Sequence, residues 1–380
     1  MIGYGFMGAA HSQGWRVAPR FFDLPLAPEM SLVVGRNADA VAQAAEKWGW
    51  AESHTDWRAA IERDDIDLID IVTPGDTHAE IAIAALEAGK HVLCEKPLAN
   101  TVEEAQAMAE AAERAAAKGV RAMVGFTYRR VPATTFARDL VAAGKIGEIR
   151  QVRAVYLQDW LADAEAPLTW RMKKELAGSG ALGDIGAHII DLTQYITGQR
   201  LTSVSGILET FVKERPLLES GRGLSGTAST ERGEVTVDDL ALFTGRFDGG
   251  AVGSFEATRF STGRKNALRV EIAGSTGALS FDLEDLNSLG YYDATAPDTE
   301  QGFRKILVTE PDHPYMSAWW PTGHMIGYEH GFSHQVKDLV EAIDAGEQPT
   351  PSFADGLQVQ QVLQAVEESS VHGSTWTPIS

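Results

Sequence analysis

Up to about Phe126, apolar residues fall into short runs separated by longer amphipathic stretches. Leu32-Val33-Val34, Leu68-Ile69-Asp70-Ile71-Val72, His91-Val92-Leu93 and Ala122-Met123-Val124-Gly125-Phe126 read as strands. Residues 38–48, 77–88 and 102–118 have helical composition and spacing, the last two closed by Gly89 and Gly119. Strands alternating with helices of this length predict a parallel, doubly wound sheet. Met1-Ile2 enters a glycine turn with almost no strand before it, where about five residues are usual. The first strand is therefore expected to be short, with native residues upstream or a start assigned too late.

The pattern then changes. Residues 132–143 read as a helix stopped at Gly144. Residues 151–156, 240–244, 253–257 and 268–272 alternate apolar and polar positions, with glycine-rich turns between runs, predicting a large, mostly antiparallel open sheet. Residues 215–234, rich in Gly, Ser and Glu, read as a long loop, and 332–345 and 355–368 as closing helices. A chain of 380 residues exceeds one ordinary core. We expect an α/β nucleotide-binding domain over 1–126 and a second α/β domain over 127–380, its last helix a candidate to pack back on the first. A broad open sheet leaves a face to be covered, which predicts a homodimer or homotetramer.

Charge narrows the partners. With 33 Lys+Arg against 53 Asp+Glu, the formal charge is −20, which disfavours nucleic acid and anionic membranes. The substrate is expected to be neutral, or to meet local basic residues. One cysteine precludes an internal disulfide and suits a reducing cytoplasm. No apolar run reaches about 18 residues, and no basic segment precedes an apolar one at the start.

The chemistry concentrates in four places. Gly3-Tyr4-Gly5-Phe6-Met7-Gly8 lies between a strand and a helix. Its glycines suit a tight turn, close approach of a pyrophosphate and close helix packing. Where an acid would bind the adenosine ribose of NAD, the chain has Gly35-Arg36-Asn37. Arg36 suits a 2′-phosphate or adenine stacking and favours NADP, although it also reads as a surface arginine; Asp39 is the fallback for NAD. Thr73-Pro74 ends a strand at the sheet edge where ligands bind, with His78 there or simply starting a helix. Glu95-Lys96-Pro97 follows another strand at that edge, where a lysine beside a cofactor polarises an oxygen and relays a proton; the alternative is a surface lysine. Gly183-Asp184-Ile185-Gly186-Ala187-His188 puts a carboxylate and an imidazole on one face if helical, and Asp191 extends that face. The pair suits proton transfer, or a structural histidine bonded to Asp184; no third ligand at a recognisable spacing supports a metal.

With these motifs in this order, and with His11 after the glycine turn, the chain resembles the Gfo/Idh/MocA oxidoreductases from end to end. The resemblance implies an N-terminal Rossmann domain, a C-terminal α/β domain whose open sheet serves the active site on one face and subunit contacts on the other, a Lys96–Asp184–His188 triad and a cis bond before Pro97. It implies NAD or NADP contacts from Gly3, Gly5, Phe6, Met7, Gly8, Arg36, Thr73, Pro74, His78, Glu95 and Lys96. Phe126-Thr127-Tyr128-Arg129-Arg130, Tyr156-Leu157-Gln158-Asp159-Trp160, Pro167-Leu168-Thr169-Trp170-Arg171 and Gly178-Ser179-Gly180 are most similar to the branch of sugar 3-dehydrogenases that includes levoglucosan dehydrogenases. That similarity implies sugar contacts from Tyr128, Gln158 and Arg171, alongside Lys96, Asp184 and His188, with Trp170 bordering the nicotinamide. Tyr128, Trp160 and Trp170 also offer flat apolar faces that suit sugar C–H bonds, or else ordinary core packing. The expected activity is hydride transfer between NAD(P) and a secondary hydroxyl of a sugar, anhydrosugar or inositol. The alternatives are a biliverdin- or dihydrodiol-type reductase of the same family and a non-catalytic nucleotide sensor.

Overall fold

The computed structural model describes residues 1–222 and 225–380 and, within them, the side chains outside 219–228. It divides into two compact units, Met1–Thr127 with Gly327–Gln360, and Tyr128–Ile326 with Gln361–Ser380.

The first unit runs α1 (Phe6–Phe21), β1 (Leu32–Val34), α2 (Ala38–Trp48), β2 (Glu52–His54), β3 (Leu68–Ile71), α3 (His78–Glu87), β4 (His91–Cys94), α4 (Val102–Ala116) and β5 (Ala122–Val124). β1 pairs with β2, and β3, β4 and β5 pair in order, all parallel. Met1–Gly3 joins the two sets: Ile2 bridges to Val34 on one side and Ile71 on the other. Asp70 O accepts from Ile2 N at 2.7 Å and Met1 O from Val34 N at 2.8 Å. This is the doubly wound order, with the shortened first strand in the middle. Helix boundaries follow local chemistry. Asn37 caps α2 through the Ala40 N–H, Gly49 ends it in the left-handed region at φ 79°, and Thr101 with Glu104 forms a capping box on α4. The helix His330–Ala345 returns to this unit and lies on α1 at a glycine: a Cβ on Gly14 would stand 2.8 Å from Phe332 O. Trp15, Val33, Val72, Leu93, Met123, Val336 and Leu339 share the core this contact closes.

The second unit starts with α5 (Pro132–Ala142), β6 (Ile149–Leu157), α6 (Ala187–Thr197), β7 (Leu201–Glu209), β8 (Glu214–Arg222) and β9 (Ser225–Glu234). It continues with β10 (Leu240–Phe247), β11 (Val252–Thr258), β12 (Ala267–Gly274), β13 (Gly277–Asp282), β14 (Ser288–Asp293), β15 (Arg304–Leu307) and, last, β16 (Thr377–Pro378). The main sheet has the order β15-β14-β13-β12-β6-β11-β10-β7-β16. Its pairs are antiparallel except β6 with β11. Tyr156, Phe243, Phe255, Val270 and Phe281 point to the buried face, where α6 packs on β6 and β12. Phe243 and Phe255 stand directly opposite across the ladder and stack with centroids 4.6 Å apart.

Two expectations change. The outer face is not broadly apolar: Arg153 pairs with Glu271 there, Thr244 and Ser254 are exposed, and Ile207 and Val252 are scattered among them. An alternation with polar outward residues needs no apolar cover, so the sheet by itself does not call for a second subunit. The expected loop over 215–234 is a paired hairpin, β8 with β9, with 223 and 224 outside the described residues. Its polar, glycine-rich composition hid it. The hairpin is anchored at one end, where Leu168 N donates to Pro216 O at 2.7 Å and the fully buried Arg215 guanidinium donates to Leu161 O and Asp163 O.

Candidate active site

At the start of α1 each glycine has a distinct reason. Gly3 has φ 110°, and a Cβ there would meet Val72 O at 2.8 Å. A Cβ on Gly8 would meet Gly3 O at 2.9 Å, whereas nothing lies within 4 Å of one on Gly5. Gly5 is the N-cap with no side-chain cap, and the first turn, Phe6, Met7 and Gly8, carries no acid. Unpaired first-turn N–H groups beside an uncrowded glycine form a cradle for an anion, which fits a dinucleotide pyrophosphate. Arg36 is exposed after β1, beside Gly35, whose Cβ would collide with the Tyr4 ring.

Two loops of the sheet edge, after β3 and after β4, are tied together from beneath. His78, buried at the head of α3, places its ring nitrogens 2.9 Å from Thr73 O and 3.1 Å from Pro97 O. Thr77 Oγ1 reaches Thr73 Oγ1 at 2.7 Å and Pro74 O at 2.8 Å. The Lys96–Pro97 peptide is cis. Glu95, 4% exposed, turns its carboxylate inward: Oε1 lies 2.8 Å from His11 Nε2, and Oε2 accepts from Lys96 N at 3.2 Å. His11 Nδ1 in turn lies 2.9 Å from Asp70 Oδ1, and Trp15 Nε1 donates to Asp70 Oδ2 at 2.7 Å. Burial alone would lower the His11 pKa. The charges and hydrogen bonds of Asp70 and Glu95 outweigh it and raise the pKa from 6.5 to about 10. His11 is therefore an imidazolium between two carboxylates, and His78 and Glu95 reach the edge as buried supports.

In the second unit, the loop before α6 is clamped by Asp238. Its carboxylate accepts from Gly180 N at 2.7 Å and Leu182 N at 2.8 Å. A Cβ on Gly180 would fall 1.8 Å from Asp238 O, so only glycine passes. A π-helical turn, Leu182–Gly186, holds Asp184 and leads into α6, which holds His188. Arg259, wholly buried, pairs with Asp184 Oδ2 at 3.4 Å. Arg171 lies in the same charge cluster. Burial lowers its pKa, Asp184 opposes this, and Arg259 adds to it. Its guanidinium stacks on Trp170 at 4.4 Å. Asp191, one turn past His188 on α6, forms a buried pair with Arg129, Oδ2 accepting from Nε at 2.8 Å.

Around His188 stand two aromatic rings, Tyr128 with its centroid at 4.6 Å and Tyr156 at 5.9 Å. The tyrosine hydroxyls are 2.7 Å apart. Tyr156 Oη donates to Asn266 Oδ1 at 2.8 Å, Gln158 Nε2 donates to the same oxygen at 2.8 Å, and Trp160 Nε1 donates to Gln158 Oε1 at 2.9 Å.

The "Oxidoreductase family, NAD-binding Rossmann fold" model matches residues 1–126, and the "GFO/IDH/MocA C-terminal domain" model matches 134–280. The chain belongs to the Gfo/Idh/MocA oxidoreductases. An oxidoreductase domain protein from Kribbella flavida is 66% identical, with TM-score 0.95 over 100% of this chain and 98% of that one. Levoglucosan dehydrogenase of Pseudarthrobacter phenanthrenivorans is 42% identical over 100% of this chain and 97% of its own. A levoglucosan dehydrogenase solved with NADH and levoglucosan superposes with TM-score 0.93, at 42% identity over 100% of this chain and 98% of that one. The scyllo-inositol 2-dehydrogenase (NAD(+)) of Bacillus subtilis is 32% identical over 85% of each chain. Like its Gfo/Idh/MocA relatives, this chain is an enzyme built on an NAD-binding Rossmann domain.

Sequence reading named the glycine turn, Lys96, Asp184 and His188 of this Gfo/Idh/MocA chain. His11 and Tyr156 stood out only as motif positions, and Asp70, Asp238, Arg259 and Asn266 were missed as site residues. Asp70 had a signal, as a lone charge inside an apolar strand, where burial demands a partner. Asn266 and Arg259 had none, because their partners lie far away in the sequence.

The His11 imidazolium should govern stability. Its folded pKa lies above its unfolded one, so its contribution is complete below about pH 6.5 and is lost as pH rises through about 10. His11→Gln leaves two buried carboxylates uncompensated and should cost about 3–5 kcal/mol at pH 7. Urea unfolding of both proteins from pH 7 to 10 should show the gap closing. The Met1 amino group, which burial lowers to about 6, and the Cys94 thiol, which burial raises, titrate in both proteins and cancel. A gap of constant size would contradict the charged-imidazole assignment.

Proposed function

We propose that the chain is an NAD(P)-dependent dehydrogenase acting on a secondary hydroxyl of a neutral sugar, anhydrosugar or inositol. The observation that carries this is His188 flanked by two tyrosines whose hydroxyls join the amides of Asn266 and Gln158. That is a proton acceptor among groups that read hydroxyls, on a chain with an intact nucleotide turn. The levoglucosan and scyllo-inositol dehydrogenases among its relatives support the substrate class.

Bound NAD(P) would supply the hydride acceptor, held by the Gly3–Gly8 turn, Thr73-Pro74 and, at the adenosine end, Arg36. The chain's own residues manage the proton. His188 takes it from the hydroxyl as the carbon is oxidised, and Lys96 polarises the same oxygen. Asp184, fixed by Arg259, orients a substrate hydroxyl or His188. Trp170 with Arg171, Gln158 and Tyr128 line the sugar. Lys96 is held in place by Glu95 beneath it, and Asp184 by the clamp of Asp238. A single buried thiol suits a reducing cytoplasm, and the assembly in this reading is a homodimer or homotetramer.

His188→Ala should lower turnover by about 10²–10⁴ while cofactor affinity barely changes. Lys96→Ala should cost a similar amount, and the double variant less than the product, because both act on one proton. Steady-state oxidation of a sugar and inositol panel measures this; near-normal turnover of His188→Ala would place the base elsewhere.

Arg36 favours NADP if it meets a 2′-phosphate. Arg36→Ala should then weaken NADP binding by about 1.5–3 kcal/mol and NAD binding far less. Titration calorimetry with both cofactors decides it, and equal losses return Arg36 to a surface or adenine-stacking role.

Light scattering at micromolar concentration should give the mass of two or four chains; a monomer would remove the oligomer from this reading.

A further inference from the structure

Gly35 follows β1 at the carboxyl edge of the sheet, the place from which a carboxylate takes the adenosine ribose of NAD. Its backbone does not demand glycine, because it lies outside the left-handed region. What the position lacks is room. The three heavy atoms nearest to a Cβ built there all belong to one ring, Cε1, Cδ1 and Cζ of Tyr4, and the Cβ would overlap the first two. Tyr4 comes from the glycine turn. Gly3 N donates to Val34 O at 2.9 Å, which sets that turn beside the end of β1. The ring is half-buried and packs on the core that holds Val33 and Val72, so swinging it aside gives up that contact. The next side chains have other places. Arg36 is exposed, and Asn37 Oδ1 caps α2 by accepting from Ala40 N at 2.9 Å. The nearest acid along the chain is Asp39, in the first turn of α2.

We propose that Tyr4 is a specificity-determining residue of the nucleotide site: its ring holds the place of a ribose-gripping acid, so that the adenosine end presents an aromatic ring and a guanidinium and admits a 2′-phosphate. A carboxylate at position 35 would accept from the ribose 2′-hydroxyl and repel a 2′-phosphate. With the ring seated there, no side chain at that position does either. Tyr4 and Gly35 are thus a coupled pair, in which the ring requires the glycine and an acid requires the ring to leave. The contribution of Arg36 rests on the NADP reading above; the coupling of Tyr4 to position 35 does not.

The test uses the full-length enzyme, urea unfolding without nucleotide, and calorimetric titration with NAD and with NADP. Gly35→Asp should lower the urea midpoint, because its Cβ meets the ring. Tyr4→Ala should lower the midpoint less in the Gly35→Asp background than in the wild type, the sign of a coupled pair. Tyr4→Phe keeps the ring and should leave Gly35→Asp as destabilising as before. Tyr4→Ala combined with Gly35→Asp should move the NADP-to-NAD affinity ratio toward NAD by about tenfold to a hundredfold, the scale of hydrogen bonds to an ionised group. Gly35→Asp alone should move it less, and Tyr4→Ala alone should leave it near the wild-type value. Should Gly35→Asp fold in neither background, Gly35→Ala, which adds only the Cβ, carries the unfolding comparison. Additive midpoints would overturn the proposal, as would an unchanged ratio in the double variant or a wild type that excludes NADP. Loss of NAD affinity alone in Asp39→Asn would overturn it too, by making Asp39 the ribose acid. Equal losses of both cofactors in Arg36→Ala, with the coupling intact, would remove the Arg36 reading and leave Tyr4 in its role. None of these readouts depends on the oxidation of a polyol, so failure of that activity leaves this inference standing.

Discussion

A histidine buried between two carboxylates, all three shielded from water, ties the nucleotide-binding unit together. His11 comes from the first helix, Asp70 from the third strand and Glu95 from the end of the fourth. Two buried carboxylates side by side would repel and lack their hydration, and an imidazole alone would lose its proton to burial. Together they satisfy one another, because the proton belongs to the group with acids on both sides. The helix is thereby drawn onto the sheet at the depth that lets Gly8 meet the Gly3 carbonyl. The same bond holds the Glu95 carboxylate inward, where its second oxygen takes the Lys96 N–H. The nucleotide cradle and the Lys96 loop therefore share one buried support.

The second unit uses the same device with different groups. Asp238 takes the N–H groups of Gly180 and Leu182, and the buried Arg259 reaches Asp184 from its neighbouring strand end. The π turn between them is an irregularity, held from outside by a carboxylate and a guanidinium. Such a turn costs regular helix bonds, and its position directly before His188 is where pre-organisation matters most. Around His188 the surroundings are hydroxyls, amides and aromatic faces. That composition suits a neutral, hydroxyl-rich ligand, in keeping with a strongly acidic chain whose basic groups are local.

Much of the framework was legible because its signals are local. A buried parallel strand is a short apolar run, a helix ends at a glycine that tolerates the left-handed region, and a dinucleotide turn needs small residues at set places. Hence β1, α2, β4 and the alternating strands of the second sheet fall where the apolar pattern puts them, and the glycine turn, Lys96, Asp184 and His188 stand out as chemistry. The hairpin β8–β9 escaped because its sequence is rich in Gly, Ser and Glu, with no regular apolar alternation to read. The outer face of the large sheet was expected to be a broad apolar face, whereas Arg153 and Glu271 pair across it.

What tertiary structure alone decided is partnership across long sequence separations. Nothing local told that Asp191 would pair with Arg129, 62 positions away. Asn266 gave no sign that it would accept from both Tyr156 and Gln158, 110 and 108 positions distant. A sequence shows which residues are able to donate, accept or carry charge, since that is fixed by the side chain. It does not show which of them lose their water together. Only that shared burial turns His11 into an imidazolium, and only shared contact brings Tyr156 and Gln158 to one oxygen of Asn266.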